Sequence, residues 1–147
     1  HFLRRMASSM DVQPISDQEL RQELAQHSCT TLPPDVLAYT VEGPLFFGVA
    51  EHFEKALSIT HTDPRILIIR LRWVPYIDIT GLQALEEVIQ SLHRRHIRVI
   101  VSGANARVLA KLHKAGIVTL VGHDNIFATL TDALAVCAHC PEHEQTP

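Results

Sequence analysis

Apolar residues recur along this chain in two alternating rhythms, and the switch between them predicts the elements. "RILIIRLRWV" (65–74) and "IRVIVSG" (97–103) are nearly continuous apolar runs, the pattern of strands covered on both faces. Between and around them the period lengthens to that of a helix. "GVAEHFEKALSI" (48–59) places Val49, Phe53, Ala56 and Leu57 on one face, and "TGLQALEEVIQSLHRR" (80–95) aligns Leu82, Leu85, Ile89 and Leu92. "NARVLAKLHKAG" (105–116) does the same with Val108, Leu109 and Leu112 before a stop at Gly116. "IVTLVG" (117–122) is expected as a last short strand, and "NIFATLTDALAVCAHC" (125–140) as a closing helix. At the front, "DVLAYTVEG" (35–43) reads as a strand that ends at Gly43 and Pro44, and "PLFFG" (44–48) as a second strand pairing with it in a hairpin.

Strand and helix in alternation predict a small α/β fold. A mostly parallel sheet follows a leading β-hairpin, and helices pack on it. Ahead of it, "ISDQELRQELAQH" (15–27) has Ser16 at an N-cap, Glu19 closing a capping box, and Ile15 and Leu20 at staple spacing, which predicts a helix over 17–27. "TTLPPD" then breaks the helix at Pro33 and Pro34. The expected organisation is a juxtamembrane segment and helical linker over 1–34, a domain over 35–139 and a disordered tail over 140–147. The opening "HFLRRM", with Arg4 and Arg5 among apolar neighbours, reads either as the edge of a membrane segment or as a frayed terminus with two solvated arginines.

Composition narrows the function classes. A formal charge of −3 and a pI near 6.4 exclude a broadly basic nucleic-acid binder. Three cysteines, Cys29, Cys137 and Cys140, do not form a disulfide framework and point to a reducing compartment. Cys137 and Cys140 with His139 and His143 supply only half of a zinc-ligand pattern, so no metal is expected. Ser102 in "VSGAN" lacks the first glycine of a nucleophile elbow and reads as an N-cap for the next helix. A small α/β hydrolase using Asp78 or Ser102 is the weakest alternative. Trp73 reads as packing. No glycine-rich phosphate loop is present, so a nucleotide would need an unconventional site, and no cofactor is expected.

The polar pair in "VPYIDITGLQAL" (74–85) stands at a strand-to-helix junction, where open parallel sheets place function. Thr80 with Gln83 reads as a capping box. That leaves Asp78 without a structural duty, while Gly81 would admit close approach of a ligand.

The order of elements around "DITG" resembles a STAS domain, the module shared by anti-sigma-factor antagonists and the cytoplasmic tails of SulP-type anion transporters. Asp78, Ile79, Thr80 and Gly81 match its signature loop of Asp, small residue, Ser or Thr, then Gly. The resemblance implies that Thr80 is a phosphoacceptor candidate. Ile79 departs from the small polar residue of the antagonists. "VEGPLFFGVAEHF", with Gly43, Pro44, Phe46, Phe47 and Gly48, is similar to the hairpin-to-helix motif of bacterial SulP tails. The resemblance implies a regulatory or assembly domain at the cytoplasmic face of the inner membrane. Its parent would be an integral membrane protein moving sulfate, bicarbonate or carboxylates. Expected partners are the transmembrane part of the same transporter, a soluble cytosolic protein, or a second copy in a homodimer. The alternative is a soluble antagonist switched at Thr80.

Overall fold

The computed structural model describes residues 10–60 and 62–138. The segment "HFLRRM" and the tail "PEHEQTP" lie outside the described residues. Among the described residues, five strands hydrogen-bond side by side in sequence order: β1 (Asp11–Pro14), β2 (Val36–Glu42), β3 (Ile66–Trp73), β4 (Arg98–Ser102) and β5 (Ile126–Phe127). β1 runs antiparallel to β2, and the other three pairings are parallel. The fold is thus α/β with a mostly parallel sheet, as the alternation of periods predicts.

The helices are α1 (Asp17–Ala25), α2 (Val49–Leu57), α3 (Ile79–Arg94), α4 (Ala106–Lys114), α5 (Ile117–Val121) and α6 (Leu130–Ala135). Strand alternation sorts them into two layers. Leu67, Ile69 and Leu71 of β3 and Val99 and Val101 of β4 face a core shared with Val49, Phe53, Leu85, Ile89, Leu112 and Ile117. That face carries α2 to α5, the helices that cross between parallel strands. Ile66, Ile68 and Ile100 point the other way, onto Leu24 of α1 and Leu130 and Leu134 of α6.

Three expectations change. The antiparallel pair at the front of the sheet is β1 with β2, joined through α1, and not a hairpin of 36–42 with 44–48. "PLFFG" makes only a parallel bridge, Leu45 to Ile77. Pro44 removes one ladder donor from that short run, and Gly43 and Gly48 sit at φ 92° and 93°. The segment "IVTLV" is helix α5, not a strand. Gly116 and Gly122, both at positive φ, bracket it, and Ile117, Val118 and Val121 fall on one buried face. The last strand is instead Ile126–Phe127, followed by a shorter helix capped by Thr129.

The segment expected as a linker contributes to the fold itself. Ser16 caps α1 through the Glu19 N–H as expected, while the Glu19 carboxylate expected to close the box bonds Arg70 instead. Met10, Val12, Ile15 and Leu24 are buried. Among the described residues no helix is long and apolar enough to cross a membrane.

Candidate functional site

Each parallel strand ends on the same edge of the sheet, where the loops leading to α2, α3 and α4 meet. Because every crossover lies over one face, the strand order never reverses, and there is no crevice of the kind a reversal opens. The edge is a surface of loops and helix N-termini. Backbone and side-chain bonds tie these loops together. The Gly43 and Leu45 N–H groups donate to the carbonyls of Trp73 and Tyr76 at 3.0 and 3.2 Å. The Asn105 amide donates to the carbonyls of Val74 and Pro75 at 3.4 and 3.3 Å.

The signature loop is built around Asp78. Its Oδ1 accepts from the Gly81 N–H at 2.8 Å and from the Thr80 hydroxyl at 2.7 Å. Asp78 is therefore the N-cap of α3, and Thr80 lies inside the first turn. The cap expected at Thr80 is corrected for a geometric reason: the chain is extended at Asp78, with φ −98° and ψ −179°, and turns helical at Ile79. The Thr80 hydroxyl and the Gly81 N–H hold the Asp78 carboxyl below its usual pKa, with the charge of Lys111 a smaller contributor. Asp78 is ionised at neutral pH. Thr80 is exposed, so its hydroxyl faces solvent beside a carboxylate and within the first turn of a helix.

Gly81 has a different duty from the one its position suggests. A Cβ there would lie 2.0 Å from the Leu45 carbonyl oxygen. The glycine admits the neighbouring loop, not a ligand.

Around this polar centre the edge is unusually apolar. Phe47 is 78% exposed, Ile79 70% and Trp73 50%, and Tyr76 is also exposed. Phe46 meets Tyr76 edge to face at 6.2 Å. The Arg72 guanidinium lies 4.8 Å from the Trp73 ring centroid. Trp73, expected to pack, instead presents a ring that already stacks a cation. The structure thus brings Gly43, Pro44, Phe46 and Phe47 to the same edge as Asp78, Ile79, Thr80 and Gly81.

Ser102 does not cap the following helix. It is fully buried in β4, its hydroxyl has no hydrogen-bond partner among the described residues, and Asn105 caps α4 through the Val108 N–H at 2.8 Å. A buried serine is no exposed nucleophile. Asn105 carried a sequence signal, since Asn stands directly before an apolar period. Tyr76 and Lys111 carried none. Cys137 is a buried free thiol whose pKa burial raises, and His139, Cys140 and His143 lie outside the described residues. Cys29 is buried and disulfide-bonded, a bond that the reading of three cysteines as no disulfide framework does not anticipate.

Comparison with known proteins is consistent across sequence and structure. The STAS domain model matches residues 30–133. The STAS domain of a SulP transporter from Vibrio cholerae is 50% identical and superposes with a TM-score of 0.73 over 87% of this chain and 98% of that one. A sulfate transporter family protein from Wolinella succinogenes is 33% identical, with a TM-score of 0.66 over 74% and 88%. Sulfate transporter 1.2 of Arabidopsis thaliana is 29% identical over 133 residues, which is 82% of this chain and 20% of the transporter. The chain therefore spans about one fifth of the length of that relative.

Proposed function

The chain belongs to the STAS domain family, in the branch carried by SulP transporters, and from that premise we propose that it is the cytoplasmic regulatory and interaction domain of a SulP-type secondary anion transporter. The transported ion belongs to the sulfate, bicarbonate or carboxylate class, with sulfate favoured by the names of the relatives. The domain binds and positions; it does not catalyse. Its partners are the transmembrane part of the same transporter and a soluble cytosolic protein or a second copy of the domain. It works without cofactor, metal or nucleic acid.

The observation that supports this reading is the composition of the sheet edge. An ionised Asp78 and an exposed Thr80 hydroxyl share the sheet edge with exposed Phe47, Trp73, Tyr76 and Ile79. Exposed apolar groups around a fixed polar centre mark a contact surface. Thr80 is the phosphoacceptor in this reading. A phosphate there would gain from the N-terminus of α3 and from Lys111 but would lose the hydroxyl bond to Asp78 and meet its charge. The loop would then present a different face to its partner.

The test is anion uptake by the full-length transporter carrying Asp78→Ala or Thr80→Ala, with folding of each domain checked by circular dichroism. Altered uptake or altered assembly in folded variants supports the reading. Wild-type uptake, assembly and partner binding in both would sink it.

A further inference from the structure

Helices α3 and α4 leave a groove of about 610 Å³ between them, immediately beside the signature loop. Its lining is apolar along the floor, with Leu82, Ala110 and Ile117, and Ile79 stands at its mouth. Its α4 rim is basic. Lys111 and Lys114 line it, and Arg107 precedes Lys111 by four residues, so the three cations form one exposed stripe along α4. Among the described residues, Glu86 is the single carboxylate of the lining.

Cations on this surface are of two kinds, and the stripe belongs with those that no ion pair holds. Arg65 and Arg95 are each held by an aspartate, Asp35 and Asp63. Among the described residues no carboxylate comes within ion-pair distance of Arg107, Lys111 or Lys114. Lys111 reaches Asp78 only as a longer-range charge. With two lysines against one glutamate in its lining, this apolar slot carries a net positive charge and is complementary to an acidic, partly apolar occupant.

We propose that this groove docks an acidic amphipathic helix of a partner protein, with its apolar side chains between α3 and α4 and its carboxylates against Lys111 and Lys114. Helix-in-groove recognition uses anchors at i, i+3, i+4 and i+7, which suits a slot between two helices. A lipid surface fits less well, because a concave slot between helices keeps its apolar floor away from a bilayer. The proposal rests on the reading of this edge as a contact surface, since Ile79 belongs to both.

The experiment is fluorescence anisotropy on the 147-residue chain with two labelled synthetic helices. One carries leucines at i, i+3, i+4 and i+7 with glutamates elsewhere, and its twin has lysine at every glutamate. The expected result is binding of the acidic helix about tenfold tighter than the twin, with that preference weakened by salt. Lys111→Glu with Lys114→Glu should remove the preference, and Ile79→Ser should weaken the acidic helix about fivefold. Equal binding of the two helices, binding of neither, or an affinity unchanged by the double reversal in a folded variant would overturn it. So would sedimentation of the domain with phosphatidylglycerol vesicles through Lys111 and Lys114 without helix binding. If peptide binding fails while Thr80→Ala still alters uptake, the groove loses its occupant and the regulatory reading stands. The opposite pair of results removes the regulatory reading alone.

Discussion

At the scale of single residues, Asp78 and Gly81 show how a signature loop can be structural and presentational at once. Asp78→Ala removes the side-chain cap of α3 and should cost about 1 kcal/mol, within the roughly 0.5 to 2 kcal/mol of such caps, read by urea unfolding. Thr80→Ala should cost less, because the Gly81 N–H still satisfies Asp78. The Asp78 carboxyl is held below its unfolded value. Its contribution is therefore complete above the unfolded carboxylate pKa of about 3.9 and lost as pH falls through the lower folded value. The gap between wild type and Asp78→Ala should accordingly narrow below about pH 4, as unfolding curves across that range would record. Gly81→Ala pushes a methyl into the Leu45 carbonyl. Overpacking of this kind costs about 1 to 3 kcal/mol, and hydrogen exchange should report a loosened Leu45 N–H, now bonded to the Tyr76 carbonyl. The sequence made "DITG" conspicuous but assigned its duties to the wrong members. Nothing in the spacing of 78 to 83 says where the chain turns helical, and nothing local says that the partner of Gly81 is Leu45.

At the scale of elements, the long periodic segments were legible and the short ones were not. α3 has enough turns to display its apolar stripe, and β3 enough residues to be recognised as covered on both faces. "IVTLV" has neither length nor polar contrast, so its β-branched content favours strand while its glycines and its buried face make it helix α5. "DVQP" gives almost no strand signal, and β1 exists because β2 offers it an edge to pair with. α1, by contrast, was readable from its cap but not in its tertiary role. It is clamped to the sheet by Glu19, whose carboxylate meets the buried Arg70 guanidinium at 2.6 Å, and Glu23 bonds Thr131 of α6. Arg70 also reaches the Thr40 hydroxyl at 3.4 Å. Glu19→Gln would leave a buried cation without its counter-charge. The expected loss is about 2 kcal/mol, below the 3 to 5 kcal/mol of a fully buried pair, because Glu19 is partly solvated. Replacing both residues, Glu19→Leu with Arg70→Met, should recover most of that loss in a denaturation cycle, since an apolar pair needs no charge compensation. Recovery would identify the pair as a latch for α1.

At the scale of the whole molecule, sequential strand order with every crossover over one face makes this a domain with an edge rather than a cleft. The strongest apolar exposure on that edge is Phe47, at 78%, next to a Gly48 whose φ of 93° turns the chain into α2. A buried phenylalanine would report on packing if changed, but this one contributes little to the core. Phe47→Ser should therefore leave unfolding free energy within about 0.5 kcal/mol of wild type. If the edge meets the membrane part of the transporter or another protein, the same change should still alter uptake or assembly in the full-length protein. Phe53→Ser is the matched control: Phe53 is buried in the core against α2's own face of the sheet, and its loss should cost stability directly, by several kcal/mol. A Phe47 variant with native stability and altered uptake would separate contact from folding at a single position. A Phe47 variant indistinguishable from wild type in both would move the contact surface away from the β2–α2 loop, toward Ile79 and the groove beside it.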